Sequence, residues 1–313
     1  MPFSPFENCQ LCPRRCGADR AHGQTGVCGE TDALRIAWFG LHRGEEPPVS
    51  SRRGSGAFFF TGCPCHCCHC QNWQISSLAS DPEGARFRVF SPDEFLAAAR
   101  SLVSRGAANL NFVTPEHVWP HVSRLLTALR AEGVSLPAVW NSSGYVRAEL
   151  VDGYAKQIDI FLPDCKFDSP ELARRVMGDA DYPALALEAL ERMVAAKGFL
   201  RPFDESGRTP AEEGVMVRHL VLPGHAADSI AVLTRLRAHF GPDLPLSVMS
   251  QYTPVPATAG LAPFDRRLAR EEYDLVLDAV ERLGFEHVFI QPMEDEGSRD
   301  PFLPDFRAEN PFS

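Results

Sequence analysis

The chain has 313 residues and carries 31 Lys and Arg against 41 Asp and Glu, a formal charge of −10 that argues against a binder of phosphate backbones. No apolar run reaches the ~18–20 residues of a membrane span, and the opening "MPFSPFENC" has neither the basic start nor the apolar core of a signal peptide. The expectation is a cytoplasmic protein with no nucleic acid or membrane partner, whose ten cysteines are metal ligands or catalytic thiols before they are disulfides.

Residues 1–45 hold four cysteines and little periodic apolar pattern, which predicts a small cap folded by something other than a core. After the linker "EEPPVSSRRGSG", strand and helix alternate. "GAFFF" is a strand, and "SPDEFLAAARSLVSRG" a helix with Ser91 as N-cap, Pro92 in its first turn and Gly106 as its stop. "NLNFV" is a strand, followed by a helix over 118–132. "LPAVWN" is the next strand, with a short helix over 147–155, and "QIDIFLPD" is a further one, with a helix over 182–197. Beyond a polar loop at 199–213, "GVMVRHLVLPG" is a strand followed by a helix over 227–240. "PLSVMSQ" is a strand followed by a helix over 270–283, and "HVFIQ" ends the series.

This alternation, with near-continuously apolar strands, predicts an α/β fold with a parallel sheet covered by helices. A full or partial (β/α) barrel over 46–295 fits better than a doubly wound sheet. Polar residues follow each strand, where barrels place their active-site loops, and there is no GxGxxG fingerprint. The Pro- and Phe-rich tail, 296–313, is expected to lie across the outside.

Five cysteines crowd into "TGCPCHCCHCQN", and among them Cys63, Cys67 and Cys70 form a C-x3-C-x2-C directly after the first barrel strand. Short loops of this kind let three thiolates converge on an iron–sulfur cluster. The spacing and its place are those of the radical S-adenosylmethionine (SAM) superfamily, whose three cysteines leave one iron of a [4Fe–4S] cluster open for SAM. A zinc site using His66 or His69 is the competing reading. Cys65 and Cys68 read as spare thiols. In the cap, Cys9, Cys12, Cys16 and Cys28 suit either a tetrahedral zinc or a second, closed cluster.

Several stretches ("CQLCPRRCG", "GEEPPVS", "GSGAFFFTGC", "CQNWQIS", "NLNFVTPEH", "NSSGY", "DIFLPDCK", "VRHLVLPG" and "MSQYTP") together resemble the branch of radical SAM proteins related to pyruvate formate-lyase activating enzyme. The resemblance implies an oxidoreductase that cleaves SAM reductively with an electron from flavodoxin or ferredoxin. It also implies hydrogen abstraction from a protein, such as a glycyl radical enzyme, or from a small molecule. It places His69 where an aromatic residue usually lies near adenine, with a charge expected to respond to pH. It makes Glu116 of "TPEH" a candidate for the SAM amino group, or else the plain start of a helix. Asp164 and Lys166 of "PDCK" fall near SAM. From the residues themselves, Asn141, Ser142 and Ser143 suit ribose and carboxylate, or an ordinary turn. Arg218 suits a ligand carboxylate, or an ion pair with Asp159 or Asp164; its neighbour His219 points the other way. Gln251 and Tyr252 are placed to line a pocket, and His42, Glu45 and Glu46 to lie in a solvated linker or close the site. The reading from another class is a zinc or iron–sulfur sensor or electron carrier, indifferent to SAM.

Overall fold

The computed structural model describes residues 4–77, 84–293 and 303–312. Its strands are β1 (Arg35–His42), β2 (Ser55–Phe60), β3 (Arg88–Val89), β4 (Leu110–Val113), β5 (Ala138–Ser142), β6 (Ile160–Pro163), β7 (Gly214–Val215), β8 (Val217–Leu220), β9 (Leu246–Met249) and β10 (Val288–Ile290). The helices are α1 (Pro47–Ser50), α2 (Trp73–Ser76), α3 (Pro92–Ser104), α4 (Trp119–Ala131), α5 (Ala148–Tyr154), α6 (Pro170–Met177), α7 (Tyr182–Lys197), α8 (Ala226–Phe240) and α9 (Arg270–Leu283).

Strands β2, β4, β5, β6 and β7 pair in that order, all parallel, and β8, β9 and β10 continue the series in a second parallel ladder. An isolated parallel bridge between Asp164 and Arg218 joins the two ladders. The strands therefore curve in sequence order into a partial barrel, with no ladder between β10 and β2 among the described residues. The stretch expected as one strand over 214–224 changes partner at Met216, so β7 stays on β6 while β8 pairs with β9.

Alternation along each strand sorts the side chains into two layers. Trp140 of β5 and Phe161 of β6 join the outer core against the helices. Val139, Ile160 and Leu162 fill the inner layer with Val49 and Met216. Both layers are apolar, as parallel strands covered on both faces require. Helix α3 begins as its sequence predicts. The Ser91 hydroxyl accepts from the Glu94 amide at 3.2 Å while the Glu94 carboxylate accepts from the Ser91 amide at 2.8 Å.

Two departures from expectation shape the site. Residues 35–42, inside the stretch expected to form the cap, are strand β1, which pairs antiparallel with β2 and widens the sheet. The described part of the tail, 303–312, drives aromatic side chains into the molecule while Asp305, Arg307, Glu309 and Asn310 stay exposed. Phe306 is buried on Phe59, and Phe312 lies against Trp38, His42 and Phe59. Gln74 ties the tail down, its Nε2 donating to Asp305 at 3.0 Å and its Oε1 accepting from the Phe306 amide at 2.7 Å. The remainder of 296–313 lies outside the described residues. Among the described residues no helix is long and apolar enough to cross a membrane.

Phe58 on β2 is fully buried, stacked on Phe112 at 5.7 Å and edge-on to Phe95 at 5.1 Å. Phe58→Ala should destabilise the fold by about 3–5 kcal/mol. Leu275→Ala, on an exposed face of α9, should stay within about 0.5 kcal/mol of the parent. Urea denaturation midpoints of the two variants check the contrast.

Candidate active site

A cavity of about 510 Å³ opens at the C-terminal ends of the strands, a size within the usual range for small-molecule sites. The loop after β2 delivers Cys63, Cys65, Cys67, His69 and Cys70 to its wall, while Cys68 is not among the lining residues. Gly62, at φ +78°, opens this loop, and His66 lies within it at φ +52°. Thr114, after β4, also lines the cavity and sits at φ +52°, a conformation that β-branched residues rarely adopt. Backbone strain of this kind gathers at sites where the surrounding structure over-determines the geometry.

The three thiols sense one another. Burial pushes the Cys70 thiol up to about 12, and Cys63 and Cys67 push it the same way. Cys67 is drawn below its ordinary range by a hydrogen bond from Cys65, against burial and with help from Lys166. Cys65 is thus no bystander: its buried Sγ lies 3.0 Å from the Ser143 hydroxyl and against Cys63 and Cys67. Three thiols on one short loop, one of them already drawn towards the thiolate, are a donor set that a cationic metal centre would take up as thiolates, so the loop fits an iron–sulfur cluster in its chemistry.

Across from the loop, β6 ends in Asp164 and Lys166, which form an ion pair. Burial opposes the charge on Lys166, but Asp164 and the nearby thiols outweigh it and hold its pKa above the usual lysine range. Tyr182, which the sequence reading did not single out, sets this corner. Its hydroxyl lies 2.8 Å from the Ser143 carbonyl and 3.0 Å from that of Asp164, and accepts from the Lys166 amide at 3.1 Å. A buried tyrosine at a helix start was the available signal, because its hydroxyl must find a partner.

Arg218 faces the cavity from β8, and His219 turns away, donating from Nδ1 to the Cys165 carbonyl at 2.7 Å. The partners of Arg218 are neither Asp159 nor the side chain of Asp164. Its Nη1 lies 3.4 Å from Glu45 Oε2 and donates to Asn141 Oδ1 at 3.1 Å, and its Nε lies 3.1 Å from Glu46 Oε1. That last contact is an ion pair without an aligned hydrogen bond, since Arg218 Nε and Glu46 Oε2 have no hydrogen-bond partner. Glu45 Oε1 in turn accepts from Asn111 at 2.8 Å and Asn141 at 3.1 Å. Glu45 and Glu46 are therefore buried parts of the site and not a solvated linker. His42 joins the wall with its ring 4.3 Å from that of Phe312, and burial lowers its pKa.

His69 is buried among Tyr252, Phe167 and Phe264 at ring distances of 6.1, 6.4 and 6.4 Å. Burial first, then Lys166, pushes its pKa down to about 3. The expected response of its charge to pH is thereby removed, and the ring stays flat and neutral across the physiological range. Gln251 lines the cavity and is tied to Gln71 at 3.2 Å, whereas Tyr252 donates to the Phe264 carbonyl at 2.6 Å. Glu116 lies just behind the lining, beside Ser142 and Trp140. The 3-10 turn at Glu116–Val118 buries it completely outside the cavity lining, and neither carboxyl oxygen has a partner.

In the cap Cys9, Cys12 and Cys28 are buried and Cys16 half-buried. The Cys16 and Cys28 sulfurs both lie 3.4 Å from where a Cβ on Gly26 would stand, and Arg20 Nη1 donates to Cys9 Sγ at 3.5 Å. Among the described residues no three His, Cys, Asp or Glu side chains are drawn together as a ready-made site for one ion.

No family model matches the chain. It is similar to the uncharacterized protein MJ0674 of Methanocaldococcus jannaschii, with 26% identity over 285 residues, 91% of this chain and 77% of that protein. Among solved structures it is similar to Streptococcus suis SuiB bound to the precursor peptide SuiA (TM-score 0.47, 10% identity, 78% of this chain and 47% of that one). It is also similar to HydG, a maturase of the [FeFe]-hydrogenase (TM-score 0.47, 13% identity, 73% and 49%), and to anSMEcpe with bound AdoMet (TM-score 0.48, 11% identity, 78% and 62%). The chain spans less than two thirds of each of these three structures, and likeness of this size carries no residue roles across.

Arg218→Ala should cost about 3–5 kcal/mol of stability, because it leaves Glu45 and Glu46 buried without their cation. Adding Glu45→Gln and Glu46→Gln should recover most of the loss in urea denaturation. For Glu116, burial raises the pKa to about 8. The folded protein thus keeps a proton that the unfolded chain, with an ordinary carboxyl, has released. Stability from this group is full below the ordinary carboxyl range and drains away as pH rises towards 8. Glu116→Gln should therefore stabilise the protein more at pH 8 than at pH 5; an equal effect at both would show that the carboxyl titrates normally.

Proposed function

We propose that this protein is a radical SAM enzyme, with Cys63, Cys67 and Cys70 holding a [4Fe–4S] cluster and SAM binding in the adjoining cavity. The observation that carries the reading is the meeting of a C-x3-C-x2-C thiol set with the Asp164–Lys166 pair and Arg218 in one cavity, at the C-terminal end of a parallel barrel. A cluster held there would supply one electron for breaking the S–C5′ bond of SAM into methionine and a 5′-deoxyadenosyl radical, which would take a hydrogen atom from substrate to become 5′-deoxyadenosine.

The chain's own residues bind and aim. His69, flat and neutral, offers a face for adenine. Asn141 and Ser143 present hydrogen-bonding groups suited to ribose and carboxylate. Lys166 and Arg218 are the cations that could meet a ligand carboxylate, Lys166 held by half-buried Asp164 and Arg218 by buried Glu45 and Glu46. The apolar wall of Trp38, Phe59 and Phe312 excludes water from a reactive species. Glu116, buried behind the lining beside Ser142, is not one of the groups that meet the cavity in this reading. The four cap cysteines would hold a second centre, zinc or a closed cluster. A flavodoxin or ferredoxin would donate the electron, and the substrate would be a protein, such as a glycyl radical enzyme, or a small molecule.

The test is low-temperature EPR of anaerobically reconstituted, dithionite-reduced protein with and without SAM, in a Cys9→Ala/Cys12→Ala background that removes any cap cluster. A [4Fe–4S]⁺ signal that changes on adding SAM, and that disappears in Cys63→Ala, is the expected result. No signal, or one indifferent to SAM, would replace the enzyme reading with a sensor or electron carrier.

A further inference from the structure

We infer that Arg14, in the cap, is a positioning residue for the thiol loop: its guanidinium clamps the backbone of that loop to the end of helix α6. Its importance for the reaction rests on the reading of the loop as the cluster's holder; the clamp itself does not.

Arg14 stands between Cys12 and Cys16 in "CPRRC". Its Nε donates to the Pro64 carbonyl at 3.0 Å, and its Nη2 to Met177 at 2.7 Å and Cys65 at 3.5 Å. The plane of the group lies over the Tyr145 ring at 5.2 Å, and the side chain is only 18% exposed. With Nη1 also donating to the Gly178 carbonyl at 3.4 Å and lying 3.8 Å from Asp179, one rigid fork ties two carbonyls of the loop to two at the helix end, a task the point charge of a lysine cannot repeat.

The rest of the cap closes on the same loop. Cys63 N–H donates to the Cys28 carbonyl at 3.3 Å, His66 Nε2 to the Val27 carbonyl at 2.6 Å, and the Thr61 hydroxyl to Glu30 at 2.7 Å. Gly62 permits this approach, since a Cβ there would stand 2.7 Å from the Cys28 carbonyl oxygen. Within the loop, by contrast, the backbone bond is Cys70 N–H to the Cys67 carbonyl at 3.1 Å, while the Cys68 amide reaches out to the Val176 carbonyl of α6 at 3.0 Å. A loop with so little internal bonding takes its shape from the groups that hold it, and a charged donor is the strongest of them. The spacing of Cys63, Cys67 and Cys70 is therefore set jointly from the cap and from α6, with Arg14 bonded to both. The neighbouring Arg15 provides the control: it pairs with Glu149 at 2.6 Å on an exposed face and does not touch the loop.

The experiment compares Arg14→Ala, Arg14→Lys and Arg15→Ala in the full chain. Amide hydrogen exchange is measured on the metal-free protein, and EPR with and without SAM on the reconstituted protein. In Arg14→Ala, amides of residues 63–70 should exchange roughly tenfold faster, as expected for a lost hydrogen bond from a charged donor. The Cys9 and Gly17 amides, bonded inside the cap to Ala18 and Cys9, should keep their rates. Arg14→Lys should fall between, and Arg15→Ala should match the parent. The reduced cluster of Arg14→Ala should broaden and lose its response to SAM at unchanged iron content, which a general loss of stability would not produce. Parent-like loop exchange in Arg14→Ala overturns the inference. So does equal acceleration of cap and loop in both Arg14 variants, which would make Arg14 a part of the cap's own fold. If the loop amides accelerate but the parent protein binds no cluster, the clamp stands and the radical SAM reading falls.

Discussion

Parallel pairing is the constraint from which the rest of the molecule follows. Strands that run the same way, with helices returning the chain, are apolar on both faces and leave their polar chemistry to their ends. β2, β4, β5, β6, β8 and β9 therefore deliver their polar residues to one rim. A thiol loop, an amide, an acid–base pair and a guanidinium arrive there from four different strands. No single segment contains the site, and no single segment could be moved without disturbing it.

The rim brings a second problem, that of charge in a half-dry space. Glu45, Asp164, Lys166 and Arg218 line the cavity and Glu46 stands behind them. Each has found an opposite charge or an amide, because an unpaired buried charge costs several kcal/mol where a paired one is close to neutral. The pairing is incomplete in detail. Glu46 Oε2, Arg218 Nε and His69 Nδ1 are buried without an aligned hydrogen bond within the protein.

How much of this was legible in the sequence depended on distance along the chain. The thiol spacing and the cap of α3 are local, so both could be read directly; the alternation of strand and helix needed only a longer window. The partners of Arg218 were not legible, because Glu45 and Glu46 lie far from it in sequence and sat in what composition marked as a linker. Strand β1 was hidden for a related reason: the cysteines around it dominated the reading of the first 45 residues. Helix α6 was missed although Ser169 and Pro170 announce its start, the serine accepting from the Leu172 amide at 3.2 Å. At eight residues it is too short for periodicity to register. Glu116 had a plausible motif, but its burial behind the lining, in the tight turn after β4, had no local signature.

The wall supplied by the tail has an evolutionary consequence. Phe312, Asn310 and Pro304 border the cavity, yet they belong to no strand or helix of the barrel and carry none of its thiols or charges. Sequence drift in these few residues would reshape one side of the chamber while leaving the metal-binding and charged sides intact. Diversification within the lineage would then show itself first at the end of the chain, in side chains that a search for catalytic motifs would pass over.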